Sequence, residues 1–471
     1  MMPKRITPGS AAPVRVVVVT MDSHMAPALA TAAAMIGGDN PGFALSLHCA
    51  DEWGQGSTAP AECLADIAAA DIVIATMLFL DDHIRAVLPA LQARRNDCDA
   101  MLCALSAGEV VRLTRVGKFD MSAPASGMGA LLKRLRGQRG GATNSGRGQL
   151  RMLKQLPRLL RFIPGTAQDM RVYFLALQYW LAGSPENFAA LLRLLVTRYA
   201  AGARGAAGLP RVAPPIQYPE VGLYHPAVTP RLFAQRSALP HDGTAGTVGL
   251  LILRSYVLAG NAGHYDGVIA ALHARGLNVV PAFASGLDAR EAIECYFLRD
   301  GAPTVDAIVS LTGFSLVGGP AYSDAHAAED MLARLDVPYV AAHPLEFQTL
   351  TQWEADARGL TPVEATMMVA LPELDGATGP ITFGGRAGGV GETRHLMAAH
   401  PERVAMLARR VARLIALRRA RRADRKIAVV LFCFPPNAGN AGTAAYLAVF
   451  ESLFNTLNAL RDAGYTVTPP A

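Results

Sequence analysis

Four short β-branched or apolar runs alternate with alanine-rich helical stretches through the first 115 residues, and this alternation restricts the fold more than any other feature of the chain. The runs are Val14 to Thr20, Ala44 to Leu47, Asp71 to Met77 and Ala100 to Leu105. Between them Ala26 to Ile36, Ala61 to Ala69 and Ile84 to Ala93 carry helical spacing. Strand, helix, strand in strict succession builds a doubly wound parallel sheet with helices on both faces. The first turn, Met21-Asp22-Ser23-His24, lacks the Gly-x-Gly-x-x-Gly that lets a pyrophosphate approach the backbone, which argues against a dinucleotide site there.

Beyond this module, Gly137 to Gly148 is a polar, glycine-rich stretch that reads as a loop. Leu150 to Tyr199 turns helical, with Leu156, Leu159 and Leu160 on one stripe and Phe188, Leu191, Leu192 and Leu195 on another. A second α/β module is expected around residues 246–345, with strands Val248 to Leu253, Asn278 to Phe283, Asp306 to Leu311 and Pro338 to Ala342 and helices from His264, Asp288 and Asp324. Trp353 to Arg386 reads as a Pro/Gly-rich excursion, and Pro401 to Arg422 as a long helix with Val404, Leu407, Val411, Leu414 and Leu417 on one face. A third unit starts with a strand at Ile427 to Phe434 and reaches Ala471 just after a second, Tyr465 to Thr468. One or two strands cannot bury their faces, so the chain is expected to stop inside that module. The fold class is therefore α/β: several Rossmann-like parallel-sheet modules joined by a helical connector, the last truncated. The divisions are 1–120, 121–215, 216–400 and 401–471.

A repeat supports this reading. Gly260-Asn261-Ala262-Gly263 follows one apolar run and Gly439-Asn440-Ala441-Gly442 follows another, and each opens a helix with a similar ending. In open α/β sheets the crevice beyond the carboxyl ends of the strands is the usual ligand site, so loops without bulky side chains there expose backbone amides to a guest. The second loop begins Phe-Pro-Pro-Asn437.

The net charge of +6 hides two basic blocks: residues 121–168 carry nine Lys or Arg and no acid, and residues 403–426 carry ten against Asp424. Each block is +9, so taking both from +6 leaves −12 for the remainder. Such blocks are solvated faces or docking surfaces for an acidic partner. Neither interleaves aromatic residues for base stacking, which argues against nucleic acid. The six cysteines, Cys49, Cys63, Cys98, Cys103, Cys295 and Cys433, form no Cys-x-x-Cys pair and indicate neither zinc nor disulfides. No apolar stretch reaches the roughly 18 to 20 residues that span a bilayer, and no cleavable leader is evident, so the expected location is cytoplasmic and not transmembrane.

Several phrases, taken in order, carry a resemblance. They are Tyr-Pro-Glu-Val-Gly-Leu-Tyr-His-Pro (218–226), Leu-Thr-Gly-Phe-Ser-Leu-Val-Gly-Gly-Pro-Ala-Tyr (311–322), Pro-Leu-Glu-Phe-Gln-Thr (344–349), Met-Met-Val-Ala-Leu-Pro-Glu-Leu-Asp-Gly (367–376), Phe-Gly-Gly-Arg (383–386) and the Phe-Pro-Pro-Asn segment. Together they resemble the porphyrin-binding large-subunit family of magnesium chelatase H and cobaltochelatase, with 311–322 leaning towards the magnesium branch. The family runs well beyond residue 471, so this chain resembles its N-terminal portion, and a fragment of this kind is expected to be inactive alone. The resemblance implies Mg²⁺ as a substrate, inserted into protoporphyrin IX for (bacterio)chlorophyll synthesis. It also implies the AAA+ ATPase partners, the I and D subunits of the chelatase, and the downstream Mg-protoporphyrin methyltransferase as a further one, with peripheral placement at the photosynthetic membrane as an alternative to free cytoplasm. ATP is assigned to the partners, since no Gly-x-x-x-x-Gly-Lys-[Ser/Thr] occurs in the sequence. The rival readings are the cobalt branch acting on a corrinoid precursor, a non-catalytic tetrapyrrole carrier or sensor, and, more distantly, a nucleotide-sugar transferase.

Metallating a porphyrin strips a hydrated hard cation and removes two pyrrole protons, which calls for oxygen ligands, a base and an apolar enclosure. Glu373 and Asp375 share a face if extended and are candidate metal ligands; capping a turn or pairing with Arg386 is the alternative. Glu346 and Gln348 have the same spacing at a strand end and are candidates for metal and substrate respectively. His264, at a helix start where the macrodipole favours a neutral imidazole, is the candidate base; a capping role is the alternative. His225 reads as structural. Arg254 and Arg386 suit propionates or inter-domain ion pairs. Gly260, Asn261, Gly263, Asn437, Gly439, Asn440 and Gly442 complete the candidate substrate contacts.

Overall fold

The computed structural model describes residues 14–39, 42–53, 58–122, 156–201, 212–319, 322–387, 396–431 and 448–469. Val14–Thr20 (β1), Phe43–Cys49 (β2), Ile72–Thr76 (β3) and Ala100–Ala104 (β4) form a parallel sheet in the order β2-β1-β3-β4. Arg115–Val116 (β5) and Phe119–Asp120 (β6) extend it antiparallel. The strands read as continuous apolar runs because both faces are covered. Val16, Val18, Ile72 and Ile74 point to Ala26–Asp39 (α1), while Val17, Val19, Val73 and Ala75 point to Ala59–Ala69 (α2) and Asp81–Arg94 (α3).

Two long helices, Thr166–Ala182 (α4) and Pro185–Tyr199 (α5), lie between the two sheets in chain order and pack on the α1 face of the first. Phe188, Leu191, Leu192 and Leu195 are buried as their spacing implies, whereas in the shorter stripe Leu160 is buried and Leu159 is exposed. Gly183, at φ 61°, lets α4 end in a left-handed cap, and Ser184 accepts a bond from the Asn187 backbone N–H to start α5.

The second sheet has eight strands: Val221–Tyr224 (β7), Leu232–Phe233 (β8), Gly246–Leu253 (β9), Leu277–Ala284 (β10), Ala307–Ser310 (β11), Tyr339–Thr349 (β12), Thr378–Arg386 (β13) and Met397–Ala399 (β14). Their order is β14-β13-β12-β11-β9-β10-β7-β8, parallel from β13 to β10 and antiparallel at both edges. Its central part repeats the first sheet's arrangement: the second strand lies on one side of the first and the rest on the other. Arg254–Leu258 (α6), Gly263–His273 (α7), Arg290–Tyr296 (α8), Ala325–Leu335 (α9) and Pro401–Arg419 (α10) accompany it. Val404, Leu407, Val411 and Ile415 of α10 pack with α7 on one face; the expected stripe drifts, leaving Leu417 exposed.

Three expectations are corrected. Trp353 to Arg386 contains the nine-residue strand β13 rather than only an excursion. The long helix stops at Arg419, not Arg422. No sheet forms in the third unit among the described residues: Ile427, Val429, Val430 and Leu431 are exposed without a ladder, Tyr465 to Thr468 is not a strand, and the helix Val449–Asp462 (α11) buries no residue. A strand has nothing to bond to without a neighbour. The Gly137 to Gly148 stretch lies outside the described residues.

Candidate functional site

The carboxyl edges of the two sheets face each other. From the first come the turn after β1, bearing Asp22 and His24, and the turn after β2, bearing Asp51. From the second come Tyr256 on α6, Asn261 and His264 around the start of α7, Glu346 on β12, and Arg386 at the end of β13. The His24 ring lies 4.6 Å from Tyr256, and Tyr256 lies 5.0 Å from His264, so one tyrosine separates two imidazoles from different modules. Asn261 Nδ2 donates to the His24 carbonyl at 3.2 Å, and Arg386 Nη1 donates to Asp51 Oδ2 at 2.6 Å. Across the junction, then, a hydrogen bond, an aromatic contact and an ion pair join residues more than 200 positions apart.

Burial sets the electrostatics. The Asp22 carboxyl is pushed up to about 7 by desolvation and then by the Asp51 charge. His24 is pushed down to about 4 by burial, against the pull of Glu346 and Asp51. The Glu346 carboxyl is raised by burial although Tyr256 donates to it at 2.5 Å, and the Tyr256 phenol is itself raised well above its ordinary range. The junction is an acidic patch kept dry, with one guanidinium inside it.

His264 is fully buried, with ring centroids at 3.8 Å from Tyr265 and 5.7 Å from the stacked Phe383, and neither of its nitrogens has a hydrogen-bond partner. Its pKa falls to about 3, first through burial and then through His24. The imidazole is neutral as anticipated, but desolvation is the main cause.

The remaining candidates are dispersed. Arg254 Nη1 donates to the Pro219 carbonyl at 2.8 Å, tying α6 to the 218–226 segment. Asn261 is locked by Met397 N–H at 2.8 Å and by its own N–H to Tyr256. Gly260 takes φ 71°, and a Cβ at Gly263 would meet the Met397 carbonyl at 2.8 Å, so this loop's small residues are explained by turn and packing. Gln348 donates to Glu364 Oε2 at 2.6 Å and to the Gly359 carbonyl. Glu373 and Asp375 are not an extended pair: a helical turn, Leu371–Leu374, precedes Asp375, leaving Glu373 exposed while buried Asp375 accepts from Leu316 N–H at 2.6 Å. Asp375 thereby holds the chain at Leu316, and Arg386 pairs with Asp51 instead. Among the described residues no group of three or more His, Cys, Asp or Glu is placed to hold a metal ion, so Glu346, Glu373 and Asp375 are not brought together. Asn437, Gly439, Asn440 and Gly442 lie outside the described residues.

Sequence reasoning gave no role to Asp22, His24, Asp51, Tyr256 or Glu364. The one available signal was position: Asp22 and Asp51 each follow a strand at its carboxyl end. A second feature occupies the point where strand order reverses in the second sheet. There a small cavity of about 20 Å³ lies between β9, β10 and β11, lined by Leu251, Leu253, Ala284, Leu287, Thr312 and Phe314. Its hydroxyls are modest, Ser310 and Thr312 sharing a bond at 3.0 Å.

Residues 177–471 match the family model described as CobN/Magnesium Chelatase, and residues 15–174 match a domain of unknown function, DUF3479. The chain belongs to the CobN/Magnesium Chelatase family. Among relatives, the H subunit of the magnesium chelatase of Cereibacter sphaeroides is 50% identical over 97% of this chain and 39% of its own length. The chloroplastic magnesium-chelatase subunit ChlH of Oryza sativa subsp. japonica is 38% identical over 86% of this chain and 30% of its own. The aerobic cobaltochelatase subunit CobN of Pseudomonas aeruginosa is 32% identical over 54% of this chain and 20% of its own. This family member thus spans less than two fifths of the curated relatives it matches. Its fold is similar to the catalytic subunit of cobaltochelatase from Mycobacterium tuberculosis, with TM-score 0.53 at 20% identity over 96% of this chain and 31% of that one. Among the described residues no helix is long and apolar enough to cross a membrane.

Proposed function

We propose that the chain is the N-terminal part of the porphyrin-binding subunit of an ATP-dependent magnesium chelatase, which inserts Mg²⁺ into protoporphyrin IX for (bacterio)chlorophyll synthesis in the cytoplasm. The observation carrying this reading is 50% identity to the H subunit of a magnesium chelatase over 97% of the chain. The cobalt branch has less support, since the cobaltochelatase relative matches 54% of the chain at 32% identity. ATP hydrolysis is assigned to the AAA+ partners, the I and D subunits, and product to a downstream methyltransferase. Within this chain, the facing carboxyl edges supply the surface for the macrocycle, Arg386 a charge for a propionate, and His264 a neutral imidazole able to accept a proton once uncovered.

Titrating protoporphyrin IX with the protein tests this directly. Saturable fluorescence quenching is expected, and Mg²⁺ insertion should follow when the complete subunit meets its ATPase partners. Binding without insertion in the full assembly would favour a carrier; no binding would refute the reading.

A further inference from the structure

Arg386 and Asp51 pair with side chains 5% and 3% exposed, although they sit on different modules. Taking two charges out of water is costly, and their mutual attraction offsets that cost only where the geometry is good and the remaining donors are satisfied. The arginine is also incompletely used: Nη1 donates to Asp51, while buried Nε has no hydrogen-bond partner. A guanidinium is a planar fork that a carboxylate fills with two parallel bonds. Arg386 ends β13 at the carboxyl edge, the position where open α/β sheets receive ligands. What it faces is the turn after β2 of the first module; the turn after β1 meets the second module through the His24 contacts to Tyr256 and Asn261.

We infer that Asp51 occupies a carboxylate-binding site on Arg386, so that a carboxylate-bearing ligand and the first module compete for one guanidinium. Ligand binding and release of the Asp22 and Asp51 turns from the second sheet are then one event. Departure of those turns takes Asp51 away from Arg386, while Glu346 stays behind, tied to Tyr256. It also uncovers Tyr256 and the face of the second module beside His264. The first module thereby acts as a built-in competitor that keeps the edge closed until a ligand with its own carboxylate arrives.

This rests on the tetrapyrrole reading, and two probes separate the claims: protoporphyrin IX, with two propionates, and its dimethyl ester, with the same macrocycle and no free carboxylate. The chain is titrated with each while hydrogen exchange is followed in residues 21–25, 49–53 and 256–261. The acid should speed exchange in all three segments and the ester should not. Asp51→Asn should bind the acid at least about fivefold more tightly than wild type, the lower end of ordinary coupling, without gaining for the ester. Arg386→Gln should bind acid and ester alike. Unchanged protection of residues 72–76 reports that the variants' first module is folded. Acid binding with an unaltered junction, or an Asp51→Asn affinity within about twofold of wild type, overturns the competition alone. If neither macrocycle binds, the tetrapyrrole reading fails and this inference with it.

Discussion

Asp22 shows what a second module does to a turn residue. Its carboxyl moves from 3.8 to about 7 because the facing sheet excludes water and Asp51 adds negative charge. The folded junction holds that proton more tightly than the unfolded chain, so the stabilisation is complete below about pH 4 and is lost as the pH rises through 7. His24 and His264 act in the opposite sense: with values lowered to about 4 and about 3, they favour folding above 6.5 and lose that contribution as the pH falls through those values. Asp22→Asn should therefore steepen the gain of thermal stability on going from pH 4 to 7, because the histidine contributions are then no longer opposed by this carboxyl. Melting curves across that range check it, and a variant with the wild-type slope contradicts the assignment. Glu346, His264 and Arg386 could be singled out from residue type and position. Asp22 and Asp51 carried only the signal of following a strand, and nothing local says that another sheet will cover them.

At the scale of elements, the first sheet was legible because strands covered on both faces must be apolar throughout, a pattern that survives in any context. Strand β13 was hidden by Gly379, Pro380, Gly384 and Gly385, residues depleted from strands. The structure gives the reason for the last two. A Cβ on Gly384 would strike the Ala398 carbonyl of β14, and one on Gly385 would sit 2.6 Å from Leu345 Cβ and 2.8 Å from its backbone nitrogen on β12. The Phe-Gly-Gly-Arg phrase is thus a packing requirement that delivers Arg386 to the edge. Gly385→Ala should destabilise the second module by about 1–3 kcal/mol, the usual cost of overpacking. Chemical denaturation measures this; a change below about 0.5 kcal/mol, ordinary for a surface site, would show that β12 yields easily. The two strands expected in the third unit are absent among the described residues for the converse reason. Ile427 to Leu431 has strand composition, yet composition makes a strand only where a neighbour completes the ladder.

At the scale of the whole molecule, two sheets with the same central strand order present their carboxyl edges to each other, and Asp22, His24, Asp51, Tyr256, Glu346 and Arg386 meet between them. Order along the chain revealed the modules, but not their mutual orientation, since that depends on contacts such as Asn261 with His24 and Arg386 with Asp51, separated by 237 and 335 residues. The central claim is that this assembly forms part of a magnesium chelatase's macrocycle-binding subunit. Its most direct test places residues 1–471 in the Cereibacter sphaeroides H subunit in exchange for the matching portion, with Mg²⁺ insertion into protoporphyrin IX followed in the presence of the ATPase partners and ATP. The account predicts ATP-dependent appearance of the magnesium porphyrin. A folded chimera that neither binds the porphyrin nor metallates it would contradict the account.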